Sequence, residues 1–152
     1  MKYDIAICSG YFAPLGYHHC HMFEHASIIS NSLVVIVNSD RQLIQKKGFA
    51  FQDEVERLKI IRSLKWVDFA LIAEDDDQTV CKTLKKIRNL YALERTVFCN
   101  GGDRSQDEGP EDKVCHDLGI DVMKGVGGEK KVWSSSDVLQ RYAKYILYNT
   151  EI

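Results

Sequence analysis

Histidines and glycines are concentrated in one short segment near the start of the chain. The segment from Ser9 to His21 reads SGYFAPLGYHHCH and follows a short apolar run. A glycine at the exit of a strand lets the backbone turn sharply and approach a ligand. The N-terminus of a following helix offers free N–H groups to an anion, and imidazoles there can donate hydrogen bonds to phosphate oxygens. The pattern therefore indicates a phosphate-binding loop. The alternative interpretation is an ordinary turn followed by surface histidines.

The same histidines permit a second interpretation, as metal ligands. His21 and His25 have the i, i+4 spacing that can hold Zn²⁺ on one helix face, and His18, His19 and Cys20 lie beside them. A structural zinc site needs about four ligands with supporting hydrogen bonds, and the sequence does not indicate the missing partners. We therefore expect no metal held by the protein alone.

Two further segments carry groups that suit phosphates. Lys46 and Lys47 precede Gly48 in what the sequence predicts to be a mobile loop, and flexible ammonium groups can follow phosphates during a reaction. The alternative is a solvated charge pair. The run Ser134–Ser136 supplies hydroxyl and N–H groups at a predicted helix start, which suits an anion. A plain N-cap would account for one of these serines.

The elements that must position these groups alternate along the chain. Apolar runs predict five strands, near 4–8, 33–38, 69–73, 96–99 and 120–123. Apolar residues at helical spacing predict four helices, near 22–29, 55–64, 80–87 and 138–146. This alternation predicts an α/β fold, a Rossmann-like doubly wound parallel sheet of about five strands. Ligands of such sheets bind beyond the carboxyl ends of the strands, where the segments above lie.

Length and composition limit the classes of protein. The 152 residues favour a single domain over 1–152, and 45% hydrophobic content suffices for a core. A net charge of -2 provides no general attraction for nucleic acid or an acidic membrane surface. No segment has the about 20 apolar residues of a membrane span, and the N-terminus does not resemble a signal peptide. Five scattered cysteines without a C-x-x-C pair indicate reduced thiols and a cytoplasmic location.

The first loop resembles that of the cytidylyltransferase-like family, nucleotidyltransferases of the HIGH superfamily. Their loop reads G-x-F-[DN]-P-x-H-x-G-H, with an alanine seven residues further on. The residues that match this pattern without a gap are Gly10, Phe12, Pro14, His19 and Ala26.

The loop also departs from the family pattern. Ala13 replaces the usual Asp or Asn, Gly16 stands where the first histidine belongs, and His18 stands where glycine belongs. A side chain at position 18 can clash with a closely approaching nucleotide. Alternatively, His18 can swing into the space vacated at Gly16 and restore a site with two imidazoles. We expect turnover to be weakened or absent while the fold and nucleotide binding persist.

The resemblance extends over nearly the whole chain, because six further blocks follow in the family's order. They are Asn38-Ser39-Asp40, Lys46-Lys47-Gly48, Glu56-Arg57-Leu58, Lys65-Trp66-Val67-Asp68, Gly101-Gly102-Asp103-Arg104 and Ser134-Ser135-Ser136. The resemblance implies transfer of a CMP or AMP group from CTP or ATP, with Mg²⁺, to a small phosphorylated substrate, and release of pyrophosphate. It also implies a homodimer. The alternative is a catalytically impaired nucleotide-binding or interaction protein that retains the fold.

The resemblance also implies roles for individual residues. The implied catalytic residues are His19, His18, Lys46 and Lys47. The implied nucleotide-binding residues are Gly10, Tyr11, Phe12, Gly16, Gly102, Asp103, Arg104, Ser134, Ser135 and Ser136. The implied substrate-binding residues are Asn38, Arg57 and Asp68. For three of these a structural role is the alternative: an ion pair or loop support for Arg57, a helix end for Asp68 and an Asx turn for Asp103.

Overall fold

One parallel sheet organises the molecule. The computed structural model describes residues 1–102, 107–128 and 133–150, and within these ranges five strands form. They are β1 (Tyr3–Gly10), β2 (Ser30–Val37), β3 (Phe69–Ile72), β4 (Thr96–Cys99) and β5 (Asp121–Met123). Their order in the sheet is β3-β2-β1-β4-β5, and every neighbouring pair is parallel. The predicted Rossmann-like α/β fold with five strands is confirmed.

Helices cover both faces of this sheet. In the same ranges they are α1 (Tyr17–Ile29), α2 (Asp40–Lys47), α3 (Glu54–Arg62), α4 (Cys81–Leu90), α5 (Pro110–Asp117) and α6 (Ser135–Asn149). Successive strand residues point to opposite faces, so the core divides into two clusters. On one face Phe23 of α1 and Ile61 of α3 pack against Val35. On the other face Leu84 of α4 packs against Ile7 and Phe98. None of the described helices is long and apolar enough to cross a membrane.

Two short helices, α2 and α5, were not predicted from the sequence. Lys46 and Lys47 lie in the last turn of α2 rather than in a mobile loop, so that prediction was wrong. The physical reason is that the residues at both ends of this segment stabilise helix termini. Ser39 caps the helix with its side chain, and Gly48 ends it in the left-handed conformation with φ 87°.

The sheet has its topological switch point beside β1. The chain runs from β1 to β2 and β3 on one side, and then crosses to β4 and β5 on the other side. The loops that leave the carboxyl ends of β1 and β4 therefore diverge and open a crevice between them. In sheets of this type the ligand binds in that crevice.

Candidate active site

The crevice at the carboxyl ends of β1 and β4 contains a cleft with two lobes. The apolar lobe has a volume of about 370 Å³, and its walls include Leu15, Met22, Val126, Trp133 and Val138. The polar lobe has a volume of about 260 Å³, and its walls include Asn38, Lys46, Lys47, Gln78 and Glu111. The residues that line both lobes are Ser9, His19, Ser134 and Ser135. His19 therefore lies where the lobes join.

The loop after β1 is shaped by Phe12 and Gly10. Phe12 has a left-handed backbone with φ 51°, which is unusual for a residue with a bulky side chain. This conformation turns the buried ring beneath the loop, where it packs edge-on against His19 and Phe23 at centroid distances of 5.0 and 5.3 Å. A Cβ atom on Gly10 would lie only 2.8 Å from that ring. The sequence therefore needs glycine at position 10 so that Phe12 can support His19.

His19 is oriented by the backbone of its own loop. The Gly16 N–H donates a hydrogen bond to His19 Nδ1 at 2.9 Å, at the start of α1. Because Nδ1 accepts this hydrogen bond, a neutral His19 carries its own proton on Nε2. The loop therefore fixes the tautomer in which Nε2 is a hydrogen-bond donor, at the junction of the two lobes.

The His18 ring lies where a side chain on Gly16 would project. A Cβ atom on Gly16 would be 3.0 Å from both Cε1 and Nδ1 of His18. The rings of His18 and His19 are 3.8 Å apart between centroids and tilted by 43°. His18 also lines the apolar lobe. The exchange of histidine and glycine in the motif thus leaves two neighbouring imidazoles at the cleft.

Both lysines of α2 lie against the first loop. Lys47 Nζ donates a hydrogen bond to the Ala13 carbonyl at 3.1 Å. Lys46 Nζ lies 4.5 Å from the centroid of the Tyr11 ring, within the range of a cation–π contact. Both ammonium groups are therefore held at the wall of the polar lobe, where Tyr11 also lies.

Arg57 lies beneath the loops rather than at the cleft surface. Its side chain is 1% exposed. Its guanidinium donates to the carbonyls of Tyr11 at 2.8 Å and Asn38 at 2.7 Å, and to the Asp40 carboxylate at 2.8 Å. A further bond reaches the Gln52 carbonyl at 3.1 Å. Arg57 therefore ties the ends of β1 and β2 to α3, the loop-supporting alternative considered from the sequence.

Asn38 lies at the wall of the polar lobe and donates hydrogen bonds through both its side chain and its backbone. Its Nδ2 donates to Gln42 Oε1 at 3.0 Å, and its N–H donates to the Gly10 carbonyl at 2.9 Å. Gln42 is fully buried and donates to the carbonyls of Asp77 and Thr79, each at 2.7 Å. This glutamine, which the sequence analysis missed, joins α2 to the loop that follows β3.

The three serines that open α6 have different environments. Ser134 caps the helix, since its Oγ accepts from the Asp137 N–H at 3.0 Å. Ser135 Oγ donates to the Pro14 carbonyl at 2.7 Å and so joins α6 to the first loop. Ser136 lines the polar lobe with its two neighbours. A cap accounts for one serine, as expected, and the other two lie against the loop and the cleft.

The loop after β4 contributes a residue that the sequence analysis missed. Gly102, which the resemblance assigns to nucleotide binding, lines the apolar lobe together with Asn100 and Gly101. Asn100 is 4% exposed, and its Nδ2 has no hydrogen-bond partner among the described residues. A buried amide in this position is available to a ligand. Asp103 and Arg104 lie outside the described residues.

Asp68 is not brought together with the other predicted site residues. It precedes β3, and its Oδ2 accepts from the Leu33 N–H at 2.8 Å. This position is at the amino end of the sheet, opposite the carboxyl ends where the cleft opens. A contact between Asp68 and a substrate in the cleft therefore has no support in the fold.

Two buried cysteines lie beneath the cleft. Cys8 and Cys99 are buried and directly paired across β1 and β4. The hydrogen bond between them, together with burial, raises the pKa of the Cys8 thiol well above its usual range. Because a thiolate is the nucleophilic form of cysteine, the geometry favours no thiol chemistry here. All five cysteines are free.

The metal interpretation finds no ligand set in the part of the chain that is described. No group of three or more His, Cys, Asp or Glu side chains lies close enough to hold an ion. His21 and His25 have their rings 4.6 Å apart between centroids in a T-shaped contact.

Comparison with known proteins identifies the family. The model of the family described as "Cytidylyltransferase-like" matches residues 7–124, which include the first loop, α2 and the loop after β4. The chain belongs to the cytidylyltransferase-like family. This confirms the resemblance found in the sequence. The altered histidine motif therefore occurs in a member of this family.

Relatives of this cytidylyltransferase-like chain carry names of nucleotidyltransferases. It is 27% identical to a FAD synthase of Picrophilus torridus over 94% of this chain and 97% of the relative. It is 36% identical to an ethanolamine-phosphate cytidylyltransferase of Arabidopsis thaliana over 58% of this chain, but spans only 21% of that protein. A lipopolysaccharide core biosynthesis protein from Thermoplasma volcanium has a similar structure, with a TM-score of 0.64 and 25% identity over 81% of this chain and 94% of that one. The prediction of a nucleotidyltransferase enzyme is confirmed.

Proposed function

We propose that this protein transfers a CMP or AMP group from CTP or ATP to a small phosphorylated substrate and releases pyrophosphate. In this reaction an oxygen of the acceptor phosphate bonds to the α-phosphorus, and the bond from that phosphorus to the β-phosphate oxygen breaks. The protein must align the two reactants and stabilise the developing charge. The observation that carries the proposal is the fixed Nε2–H donor of His19 at the junction of two lobes.

The two lobes suit different parts of the reactants. The walls of the apolar lobe, including Trp133 and Val126, suit the base and ribose of the nucleotide. The Asn100 amide lies there as a buried group that can bind a polar edge of the nucleotide. The lysines of the polar lobe suit the acceptor phosphate. The reacting phosphates then meet beside His19, where its Nε2–H can donate to the charge that develops on their oxygens.

His18 is assigned the role of the missing motif histidine. Its ring occupies the space in which a side chain on Gly16 would lie, and it contacts the His19 ring. Two neighbouring imidazoles supply more donors to the phosphates than His19 alone. This arrangement supports an enzyme that retains turnover, while the catalytically impaired alternative predicts nucleotide binding without pyrophosphate release.

Lys46 and Lys47 are assigned to phosphate neutralisation. Their ammonium groups lie at the wall of the polar lobe and carry the local positive charge that an overall charge of -2 does not provide. Ammonium groups on flexible side chains bind phosphate as point charges. The hydroxyl of Ser136 and the N-terminus of α6 lie on the same lobe and favour an anion as well.

Mg²⁺ is assigned to the nucleotide rather than to a cage of protein ligands. Among the described residues no cluster of three or more possible ligands exists, which fits an ion that is bound mainly through substrate phosphates. Bound there, the ion would neutralise charge on the phosphates. The chain's own donors at the junction, His18 and His19, would act on oxygens that the ion leaves exposed.

A homodimer is the proposed assembly, and α6 offers the surface for it. None of its residues is buried, and apolar side chains recur at helical spacing along one side: Val138, Tyr142, Tyr145 and Ile146. Exposed apolar surface of this kind is typical of an interface. The five free thiols support a reducing, cytoplasmic setting.

The experiment that tests the proposal measures pyrophosphate release by the purified protein with CTP or ATP, Mg²⁺ and a set of phosphate monoesters. Release that requires both a nucleotide and an acceptor is the expected result. Stabilisation of the fold by a nucleotide with Mg²⁺, without release under any combination, would contradict transfer and favour the impaired binding protein.

A further inference from the structure

A buried amide in the apolar lobe has no partner for its donor. Asn100 directly follows β4, is 4% exposed and lines the apolar lobe. Among the described residues its Nδ2 has no hydrogen-bond partner. An amide nitrogen carries two donor hydrogens, and leaving a buried donor without an acceptor destabilises a fold. We therefore expect the acceptor for this group to belong to a ligand in the lobe.

The backbone of Asn100 is held on both sides. Its N–H donates to the Met123 carbonyl at 2.8 Å, and its carbonyl accepts from the Val126 N–H at 3.0 Å. These bonds connect the end of β4 with β5 and with the loop that follows β5. They place the amide at a fixed point of the lobe, so little freedom is lost when it binds a ligand.

The aromatic wall of the same lobe suits a planar ring. Trp133 lines the lobe and is 51% exposed. The Arg141 guanidinium lies 4.4 Å from the centroid of the indole and covers one of its faces, so a base would stack on the other face. A nucleobase has flat faces for such stacking and carries acceptor atoms along its edges. The lobe thus combines a surface for the face of a base with a donor for its edge.

We propose that Asn100 determines which nucleotide the protein uses, by donating a hydrogen bond from Nδ2 to an acceptor atom on the edge of the base. The proposal rests on the proposed transfer reaction and names the residue that recognises the base of its nucleotide. Asn100 is thus a specificity-determining residue, with no part in bond breaking.

The test on the natural protein compares four nucleotides. Calorimetry with Mg²⁺ measures the Kd of CTP, ATP, GTP and UTP. We expect the tightest and the weakest Kd to differ by about tenfold or more, because the acceptor atoms of the four bases lie at different places on their edges and a fixed donor cannot reach all of them equally. This comparison needs no variant and no turnover.

Asn100→Leu removes the donor and keeps a side chain of similar size. The Kd of the preferred nucleotide should rise by about tenfold or more, and the spread among the four nucleotides should narrow. The matched control is Asn89→Leu, the same change at an exposed position on α4. It should keep the Kd values of the natural protein.

Two further measurements separate recognition of the base from damage to the site. Tripolyphosphate with Mg²⁺ has no base, so its Kd should be the same for Asn100→Leu and the natural protein. The Tm of the protein without nucleotide should stay the same or rise in Asn100→Leu, because the change removes a buried donor that has no acceptor.

Equal Kd values of the natural protein for all four nucleotides would overturn the proposal, as would an unchanged preference in Asn100→Leu. An equal loss of affinity for tripolyphosphate, or a lower Tm without nucleotide, would show that Asn100 supports the structure instead. If the natural protein binds nucleotides but releases no pyrophosphate with any acceptor, the transfer reaction itself fails. The Kd values then still decide the role of Asn100.

Discussion

At the scale of single residues, Gly16 and His18 distinguish the first loop of this chain from the family pattern. Gly16 has lost the side chain of the first motif histidine, and His18 has gained one where the family has glycine. The structure connects the two changes, because the His18 ring lies 3.0 Å from the position of a Cβ atom on Gly16. The two positions are therefore in direct contact, and the effects of substitutions at them should depend strongly on each other.

The first prediction concerns His18 as the second imidazole. His18→Ala should lower kcat by about a hundredfold to a thousandfold, the usual cost of removing one preorganised donor to the transition state. The double change Gly16→His with His18→Gly restores the family order and should recover activity at or above that of the natural protein. Steady-state pyrophosphate release measures both.

The control for this prediction is His25→Ala, which removes an exposed histidine from the same helix. It should leave kcat unchanged. If His18→Ala also leaves kcat unchanged, then His18 does not replace the missing histidine, and His19 acts without a second imidazole from this loop.

The sequence could predict His19 but could not predict how its ring is held. The order of glycine, proline and histidine in the loop is local information, and it predicts a phosphate site there. The left-handed Phe12 and the bond from the Gly16 N–H to His19 Nδ1 depend on the packing of the whole loop against α1. Such details of side-chain position are set by three-dimensional packing, which the order of residue types does not show.

Arg57 connects three elements and gives the second prediction. Its buried guanidinium bonds to the carbonyls of Tyr11 and Asn38 and to the Asp40 carboxylate. Arg57→Met should lower the free energy of unfolding by about 3 kcal/mol, because it leaves the partly exposed Asp40 carboxylate and the three carbonyls of Tyr11, Asn38 and Gln52 without their donor. Urea denaturation measures this loss.

The control is Arg62→Met, on the same helix but exposed, where among the described residues the side chain donates only to the Ala70 carbonyl. It should cost about 1 kcal/mol or less. If Arg57→Met keeps the stability of the natural protein and raises only the acceptor KM, then Arg57 contacts the substrate and the supporting role is wrong.

At the scale of elements, the long periodic helices were predictable and the short ones were not. The helices α1, α3, α4 and α6 show apolar spacing, whereas α2 and α5 have eight residues each and many charges. Their signals were in the caps. Ser39 with Gln42 forms a capping box before α2, and Pro110 occupies the first turn of α5. These cap residues are the signal in the sequence that places Lys46 and Lys47 on a helix.

The third prediction concerns assembly, a property of the whole molecule. Tyr142→Glu places a charge on the exposed apolar side of α6 and should convert the proposed dimer to a monomer, since a buried unpaired charge disfavours an interface. Sedimentation equilibrium measures the mass. Gln140→Glu, which adds the same charge at an exposed position on the other side of α6, should leave the dimer intact. A natural protein that is monomeric at all concentrations tested would contradict the proposal.

The burial of polar residues at the cleft depends on the fold of the whole molecule, so it cannot be predicted from the sequence alone. Asn100, Gln42 and Glu111 are all buried at the cleft or just behind it, although such residues are usually exposed. Their burial results from the switch point beside β1, which brings together loops from widely separated parts of the chain. The sequence predicts the class of fold, a Rossmann-like parallel sheet, but not the order of its strands, and this order places the switch point.

Pyrophosphate release by the natural protein and by His19→Ala tests the central claim most directly. With CTP or ATP, Mg²⁺ and a small phosphate monoester, the natural protein should release pyrophosphate. His19→Ala should lower kcat by about a hundredfold to a thousandfold while the nucleotide Kd changes little, because its donor acts mainly on charge that develops in the transition state. Equal release by both proteins would contradict the account, as would nucleotide binding without release by the natural protein.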